Sequence, residues 1–150
     1  MLGRAAILLL VISVGCGSDG RSAREYVDVG TFCVTPAAGG LTFRVFVAPN
    51  ERCLSACDTN ELSCRATLSG NRIELRSLLE VRDEPGVSEC PTGCLGSTGR
   101  CELDAPSTGE YEFGFASRVD RVTLPFAGSI PLFGEHACEA DDPMPLDPFR

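Results

Sequence analysis

The sequence predicts an all-β fold: an antiparallel, sandwich-like domain with disulfide-stapled loops and an internal pseudo-duplication. Three observations predict it, namely short segments in which apolar and polar residues alternate, frequent Gly and Pro between those segments, and a repeated spacing of cysteines. After the signal-like leader no segment shows the long apolar 3.6-residue period of an amphipathic helix. The chain has eight Phe, two Tyr and no Trp, so its core is modest and disulfides would reinforce it.

Alternation of apolar and polar residues places the strands. Residues 41–48 alternate most regularly, with an apolar side chain at every odd position. The same period of two predicts further strands, the last of them the weakest, at residues 72–81, 110–116, 119–126 and 26–34.

The sequence predicts the structure of two segments that lie between or beside these strands. Ser69, Gly70 and Asn71 have the chemistry of a tight turn, because Gly and Asn tolerate positive φ, and they predict a hairpin that joins residues 66–68 to 73–75. Residues 51–63 have room for only a short helical turn around their cysteines.

The cysteines form two matched triplets. The spacing C-x3-C-x6-C occurs twice, the second time 37 residues after the first, at Cys53, Cys57 and Cys64 and again at Cys90, Cys94 and Cys101. A strand candidate and a polar loop precede each triplet, and a Gly-containing turn follows it. Two copies are too few for a solenoid, which needs about three. The spacing therefore predicts one pseudo-symmetric domain with the triplets at equivalent corners.

Disulfide bonding is the favoured chemistry of the cysteines. Apart from Cys16 they are even in number, as a closed set requires: Cys33, Cys53, Cys57, Cys64, Cys90, Cys94, Cys101 and Cys138. An odd triplet forces at least one bond to leave each copy, for example between Cys57 and Cys94. Cys33 and Cys138 can tie the start of the domain to its tail. About a hundred pairings exist, so the connectivity stays open.

Two other uses of the cysteines compete with disulfides. The two C-x3-C spacings supply four thiolates for zinc, but structural zinc knuckles belong mainly to reducing compartments. A redox pair would use C-x-x-C at the start of a helix, and neither triplet has that spacing.

The first fifteen residues differ from the rest of the chain and predict a secretory signal peptide. Arg4 is the only charge before residues 5–14, which are apolar except for Ser13, and small Gly15 follows. This apolar run is about half the length needed to span a bilayer. The alternative is that this segment forms a buried N-terminal helix, which the sequence favours less than a signal peptide.

Val14, Gly15 and Cys16 resemble the end of the lipobox of bacterial lipoproteins, with Ser13 standing where that family usually has Leu. The resemblance implies a lipid on Cys16 that anchors the chain to a membrane. Gly17 is not the Asp of inner-membrane retention, so the resemblance implies the outer membrane, on its periplasmic or cell-surface side. It marks the chain as similar to small, cysteine-rich bacterial lipoproteins. Ordinary cleavage nearby, with Cys16 left as a free thiol, is the alternative.

The organisation of the chain follows from these signals. The predicted segments are a signal peptide at 1–15, a flexible tether at 16–25, a disulfide-rich β domain at 26–126 and a Pro-rich acidic tail at 127–150. The formal net charge is -8 and all thirteen basic residues are Arg. An acidic chain without a basic cluster is unsuited to nucleic acid, whose phosphates require a basic face.

Candidate catalytic groups are few. The only histidine, His136, lies in the tail, and no G-x-S-x-G elbow supplies a serine for it. Glu110 and Glu112 share one face of a predicted strand and form a carboxylate pair for glycoside hydrolysis, although alternation alone explains them. An acidic cluster in the tail lacks the spacing of a calcium loop: Glu139, Asp141 and Asp142. No cofactor motif occurs.

These observations favour a non-enzymatic, lipid-anchored module of the cell envelope with a binding or structural role. Its expected partners are the membrane, through the N-terminal lipid, and an envelope protein or glycan. The alternatives are a small envelope hydrolase that uses paired carboxylates and a cysteine-based metal or redox protein.

Overall fold

The computed structural model describes residues 23–48, 54, 57–83, 94, 96–104, 108–135 and 137–139. Within these residues the regular structure is all β and no helix is present. The strands, in chain order, are β1 (Ala23–Val27), β2 (Thr31–Ala37), β3 (Gly40–Val47), β4 (Asp58–Ser69), β5 (Arg72–Asp83), β6 (Ser97–Asp104), β7 (Gly109–Phe115), β8 (Arg118–Leu124) and β9 (Ile130–Leu132). The predicted all-β class is confirmed.

The strands form two sheets in a sandwich-like arrangement. The four-stranded sheet has the order β6-β3-β2-β9, and the five-stranded sheet is built around β5. One edge of β5 pairs with β4 over the whole length of both strands. Two strands share the other edge of β5. β7 pairs in parallel with the first residues of β5, and β1 pairs antiparallel with its last residues. β8 pairs with the far edge of β7. The other pairings among the described strands are antiparallel, as the sequence predicts.

The core lies between the inner faces of the two sheets. Aromatic rings join the sheets: Phe32 of β2 meets Phe115 of β7 edge to face at 4.9 Å between centroids, and Phe43 of β3 lies 6.1 Å from Phe113. Such pairs add to the free energy of area burial because ring edges and faces carry opposite partial charges. The largest fully buried side chains are Phe32, Phe43, Phe113, Phe115, Ile73, Leu75, Leu79, Leu132, Val34, Val45, Val47 and Val81.

The two sheets come closest where β4 and β6 lie side by side. These strands follow the two cysteine triplets and run in the same direction. Contacts join residues 37 positions apart: Ser97 Oγ donates to Asn60 Oδ1 at 3.1 Å, and Cys101 is disulfide-bonded to Cys64. Asn60, Leu62 and Cys64 thus lie against the residues 37 positions later in β6.

The pairing partners are exchanged between the two copies. The first copy consists of β3 and β4 and the second of β5 and β6, yet β3 pairs with β6 and β5 pairs with β4. The two registers differ by three residues, because Val45 faces Gly99 in one pair whereas Arg82, 37 positions after Val45, faces Thr59 in the other. The strands of the two predicted copies are therefore interlocked without a common register.

One predicted strand, at residues 26–34, is wrong as a single element. It is divided into β1 and β2 by a sharp turn in which Asp28 has φ 54° and Gly30 has φ 94°. The turn is held by Ser77, whose backbone oxygen accepts from Asp28 N at 2.8 Å and whose hydroxyl bonds both Val29 N and Val29 O. The chain crosses from one sheet to the other at this point. A side chain at Gly30 would strike the carbonyl oxygen of Phe46, at 2.5 Å from its Cβ.

Two strands differ from the sequence interpretation because their inward side chains are polar or small. The short helical turn expected in residues 51–63 is wrong from Asp58 onward, where β4 begins; Leu54 and Cys57 are the only other described residues of that range. No strand was predicted at β6, whose inward positions include Ser97, Gly99 and Cys101. The backbone of β4 lies against Gly99 of β6 and leaves no space for a large side chain at that position. The alternation of large apolar residues that predicts a strand is therefore weak in β6.

Strands also lie on both sides of the predicted β domain at 26–126. β1 begins at Ala23, inside the predicted tether at 16–25, because pairing with β5 orders a strand whose side chains are mostly exposed. Arg24 of this strand bonds Asp83 at 2.9 Å and Asp58 at 3.1 Å, and the charge of Asp83 is the main reason that the pKa of Arg24 lies above its ordinary value. β9 lies inside the predicted irregular tail at 127–150 and pairs with β2.

Candidate functional site

The predicted lipidation site, Cys16, lies outside the described residues, as does the whole leader. The first described strand starts a few residues after it, at Ala23. In the part of the chain that the structure describes, no helix has the length and apolar character to cross a bilayer.

Two disulfides of the described domain bridge segments that are distant in sequence. Cys33 of β2 bonds Cys138 in the tail, with 4.9 Å between the Cα atoms of two residues that lie 105 positions apart in the chain. Cys64 of β4 bonds Cys101 of β6, with 5.5 Å between the Cα atoms. The first bond ties the start of the domain to its tail. The second joins the two triplets through the third cysteine of each, so one bond leaves each triplet as the odd number requires.

The remaining cysteines bear on the metal and redox alternatives. Cys57 and Cys94 are also disulfide-bonded, while Cys53 and Cys90 lie outside the described residues. A sulfur in a disulfide is not a thiolate, so Cys57 and Cys94 in this state do not offer the ligands that a zinc site of two C-x3-C pairs would need. The described part of the chain contains no cluster of three or more Cys, His, Asp or Glu placed for a metal ion.

The paired carboxylates of the hydrolase alternative lie on the outer face of β7. Glu112 accepts a bond from Arg121 of β8 at 3.1 Å, and Glu110 stands opposite Thr123. Contacts of this kind are expected between cross-strand neighbours on the solvent-facing side of a sheet. The two glutamates thus stand on open sheet rather than in the cavity described below. Among the tail candidates, Glu139 is described, whereas His136, Asp141 and Asp142 lie outside the described residues.

A cavity of about 330 Å³ opens on the outer face of the four-stranded sheet. Its floor is formed by outward-facing residues of β2, β3 and β6, and the tail closes on the same face because Cys138 is bonded to Cys33. The disulfide leaves Cys33 only 2% exposed although its side chain points away from the core. The lining residues described are Cys33, Thr35, Pro36, Ala37, Thr42, Arg44, Arg100 and Ser129.

Two arginines give the cavity its charge. Arg44 of β3 and Arg100 of β6 are register partners, so their side chains leave the sheet on the same face. The Nη2 atom of Arg44 donates to the carbonyl oxygen of Cys138 at 3.3 Å, which positions this guanidinium against the disulfide-held tail. Arg100 contacts Glu102 at 2.9 Å, but both side chains are about two-thirds exposed, so solvent weakens this pair.

The neutral lining of the cavity is rich in hydroxyl groups. Thr35 and Ser129 share a hydrogen bond of 2.8 Å between their hydroxyls, and Thr42 stands opposite Thr35 in the sheet. None of the described lining residues is acidic, although the chain as a whole carries a net charge of -8. The described lining of the cavity is therefore basic and rich in hydroxyl groups, of which those of Thr35 and Ser129 bond one another.

Sequence reasoning missed this cavity. Arg44 stands at an even, outward position of the predicted strand 41–48, so alternation places it on the correct face. Arg100 belongs to β6, which was not predicted, and Ser129 lies in the predicted tail, which reaches this sheet through β9 and through the disulfide of Cys33 with Cys138. Of these links, the sequence allowed the disulfide without selecting it.

Comparison with known proteins identifies no relative: no protein-family model, no curated protein and no solved structure matches the chain.

Proposed function

We propose that this chain is an exported protein of the bacterial cell envelope, held at a membrane by a lipid on Cys16, whose domain binds an envelope partner without catalysing a reaction. The observation that carries the proposal is the disulfide between Cys33 and Cys138. It is consistent with an exported protein, because such bonds persist in oxidising compartments. It also brings the tail onto the face of the sheet where the cavity opens.

The anchor would hold the domain close to the bilayer. Val14, Gly15 and Cys16 supply the resemblance to the lipobox, and β1 begins at Ala23. Even a fully extended chain between Cys16 and Ala23 would span no more than roughly 25 Å. A ligand or partner in the envelope would then meet the domain near the membrane surface.

A binding role agrees better with the described geometry than catalysis does. The cavity supplies arginines and hydroxyls, while Glu110 and Glu112 stand on another face, where Glu112 is paired with Arg121. Distant cysteines joined across the sandwich also restrict the motion of the surface, which reduces the entropy that a ligand has to overcome on binding. The partner we propose is an envelope protein or glycan.

Export and anchoring are tested on the full chain with its leader, expressed in a Gram-negative host. We expect the protein in the membrane fraction and a mature N-terminus at Cys16 whose mass includes a diacylglyceryl group and an acyl chain. The Cys16→Ser variant is expected to leave the membrane fraction, whereas Ser18→Ala keeps the cysteine and is the matched control. An unmodified mature chain that starts elsewhere would contradict the anchor.

The disulfide part of the proposal is tested by alkylation of the exported protein under denaturing, non-reducing conditions. We expect no alkylation of the eight cysteines that follow Cys16 before reduction, and labelling of all eight afterwards. Free thiols on the untreated exported protein would contradict a closed set of disulfides.

A further inference from the structure

One edge of the five-stranded sheet has a step. β7 and β1 share that edge of β5, with β7 along residues 72–75 and β1 along residues 78–82. β8 adds a further strand beyond β7, whereas no described strand lies beyond β1. The sheet is therefore one strand wider along its β8 half than along its β1 half, and each half ends in an edge that no described strand pairs with.

The outward backbone groups of β1 belong to alternate residues. Asp28 N donates to the carbonyl oxygen of Ser77 at 2.8 Å, and in an antiparallel pair every second residue bonds the same neighbour. The N–H and C=O groups that point away from β5 are therefore those of Ala23, Glu25 and Val27. Such a row of outward backbone groups is a template for a further strand.

β8 presents the same kind of edge. Phe115 and Arg118 flank a two-residue turn, and in such a hairpin the flanking pair exchanges hydrogen bonds. The N–H and C=O groups that point away from β7 are therefore those of Val119, Arg121 and Thr123. The side chains of these three residues lie on the outer face of the sheet, as do those of the three outward-bonding residues of β1.

A second copy of the chain, related by a two-fold axis normal to the sheet, fits this step. The rotation brings β8 of the second copy beside β1, and by symmetry β8 of the first copy beside β1 of the second. β1 is antiparallel to β5, and so is β8 because it is antiparallel to β7, which is parallel to β5. The rotation reverses the strand direction, so both new pairs are antiparallel. The contact is isologous and closes at two copies.

The outer face beside β1 carries a row of like charges. Glu25 is the register partner of Glu80, and Glu80 is the register partner of Glu61, so three carboxylates lie across β1, β5 and β4. Like charges directly opposite each other destabilise a sheet. Arg82 lies 4.0 Å from Glu80, but it is 61% exposed, so solvent weakens this contact. A positive charge at the β1 end of the row would be favourable.

β8 of the second copy supplies that charge. Its Arg121 is 68% exposed and becomes a direct or diagonal neighbour of Glu25 in the new strand pair. Arg121 bonds Glu112 of its own copy at 3.1 Å on the solvent-facing side of the sheet. A guanidinium has several N–H donors, so it can bond this carboxylate and Glu25 together.

The same strand pair covers exposed apolar side chains. Val27 and Val119 are 58% and 48% exposed, and each lies two residues from the charged residue of its edge. They therefore approach each other when Glu25 and Arg121 do. Pairing of like edges lacks this complementarity, because β1 with β1 would bring the rows of carboxylates together and β8 with β8 would bring the arginines together.

We propose that the chain forms a two-fold dimer in which β1 of each copy pairs with β8 of the other, so that the two five-stranded sheets become one continuous sheet. Glu25 binds Arg121 of the second copy at each of the two equivalent contacts. A second copy is favoured over another protein because the chain itself supplies a strand of matching charge, face and direction. The contact involves neither the cavity nor the lipid and goes beyond the function proposed above.

The test is native mass spectrometry of the purified, oxidised exported protein, released from detergent, at micromolar concentration. We expect the wild-type protein to be dimeric. Glu25→Arg and Arg121→Glu each place like charges together at both contacts, and each is expected to weaken the dimer by about tenfold or more. Arg65→Glu reverses an exposed charge of β4, on the opposite edge of the sheet, and is expected to leave the dimer unchanged.

A mixture of the two charge-reversal variants gives the sharpest result. In the mixed dimer one contact joins the two reversed side chains and the other joins the two native ones, so both contacts are attractive. We expect this mixed dimer, identified by its mass, to form with nearly the wild-type affinity although each variant alone is mainly monomeric. A misfolded variant would not form it, so the mixture also checks folding.

Three results would overturn the proposal. They are dimers that neither reversal weakens, a mixture that stays monomeric, and a wild-type protein that stays monomeric, which would leave the edge to a strand of another protein. A further measurement needs no substitution. The amide hydrogens of Glu25 and Arg121 are expected to exchange more slowly with solvent in the dimer than after dilution, and equal exchange rates would contradict the strand pairing.

Discussion

Replacement of Gly99 by Ala tests the closest approach between the two sheets. A Cβ atom at Gly99 would lie 2.9 Å from the carbonyl carbon of Leu62 and 3.1 Å from Cγ1 of Val45, and closer still to the carbonyl oxygen of Leu62. The obstacle is backbone, so no change of rotamer relieves it. Strands β4 and β6 would have to part by roughly 1 Å.

We expect Gly99→Ala to lower the free energy of unfolding by an amount at the upper end of the range for overpacked cores. Extra methylene groups in a packed core typically cost about 1–3 kcal/mol. The disulfide between Cys64 and Cys101 holds the two strands at 5.5 Å between Cα atoms, only two residues from Gly99, which limits how far they can separate. We therefore expect Gly99→Ala to lower the free energy of unfolding by about 3 kcal/mol, a large share of the total stability of a small domain.

Gly114→Ala is the matched control. A Cβ at Gly114 of β7 would also be crowded, at 2.5 Å from Glu74 Oε2 and 2.8 Å from Arg72 Nη2. These atoms are the ends of flexible, partly exposed side chains that can turn away. We expect a change within about 0.5 kcal/mol.

The assay is urea unfolding of the oxidised protein, followed by far-UV circular dichroism. Equal midpoints for Gly99→Ala and Gly114→Ala would refute the close approach of β4 and β6. The penalty of Gly99→Ala should also shrink when Cys64 and Cys101 are both replaced by Ser, because the strands are then free to part. A double-mutant cycle measures that coupling.

Two further predictions concern the hydroxyl at the chain crossing and the disulfides. Ser77 is 3% exposed, and its hydroxyl bonds both Val29 N and Val29 O. Ser77→Ala should therefore lower the free energy of unfolding, measured in urea, by about 2 kcal/mol. Ser63→Ala, on the exposed face, is the control and should lower it by less than about 0.5 kcal/mol. Replacing Cys33 and Cys138 by Ser should cost about 5 kcal/mol, against about 4 for the shorter bridge between the triplets, because the longer loop gains more entropy in the unfolded chain. The opposite order in urea midpoints would contradict the loop-length argument.

Much of the fold follows from local patterns in the sequence. The predicted strands at 41–48, 72–81, 110–116 and 119–126 and the hairpin through Gly70 all agree with the structure to within a few residues. Their inward positions are large and apolar, so the period of two is visible without tertiary information. The cysteine spacing also indicated the two copies, because the repeat lies in the chain itself.

The missed elements depend on contacts that local patterns do not contain. β6 turns small side chains inward because β4 lies against it, and Gly99 is small for that reason. The break between β1 and β2 depends on Ser77, which is 48 residues from the backbone of Val29 that it binds. The sequence could not show whether strands pair within each copy or between the two copies, because both arrangements satisfy the same alternation of apolar and polar residues.

The candidate site was less predictable than the fold. Its two arginines come from strands that are far apart in the chain, and the pairing of β3 with β6 brings them together. Ser129, between β8 and β9, joins the lining through its hydroxyl contact with Thr35. The lipid attachment at Cys16 stays a prediction from the leader, because that residue lies outside the described part of the chain.

The pairing of Cys33 with Cys138 has a consequence for biogenesis. Cys33 and Cys138 are the first and last cysteines after Cys16, and they lie 105 positions apart in the chain. During vectorial secretion Cys33 meets six other thiols of the domain before its partner arrives. An oxidase that joins thiols in order of emergence gives Cys33 the wrong partner, and thiol–disulfide exchange must then replace that bond. Maturation of this domain is therefore expected to depend on a disulfide isomerase and to finish only after translocation is complete.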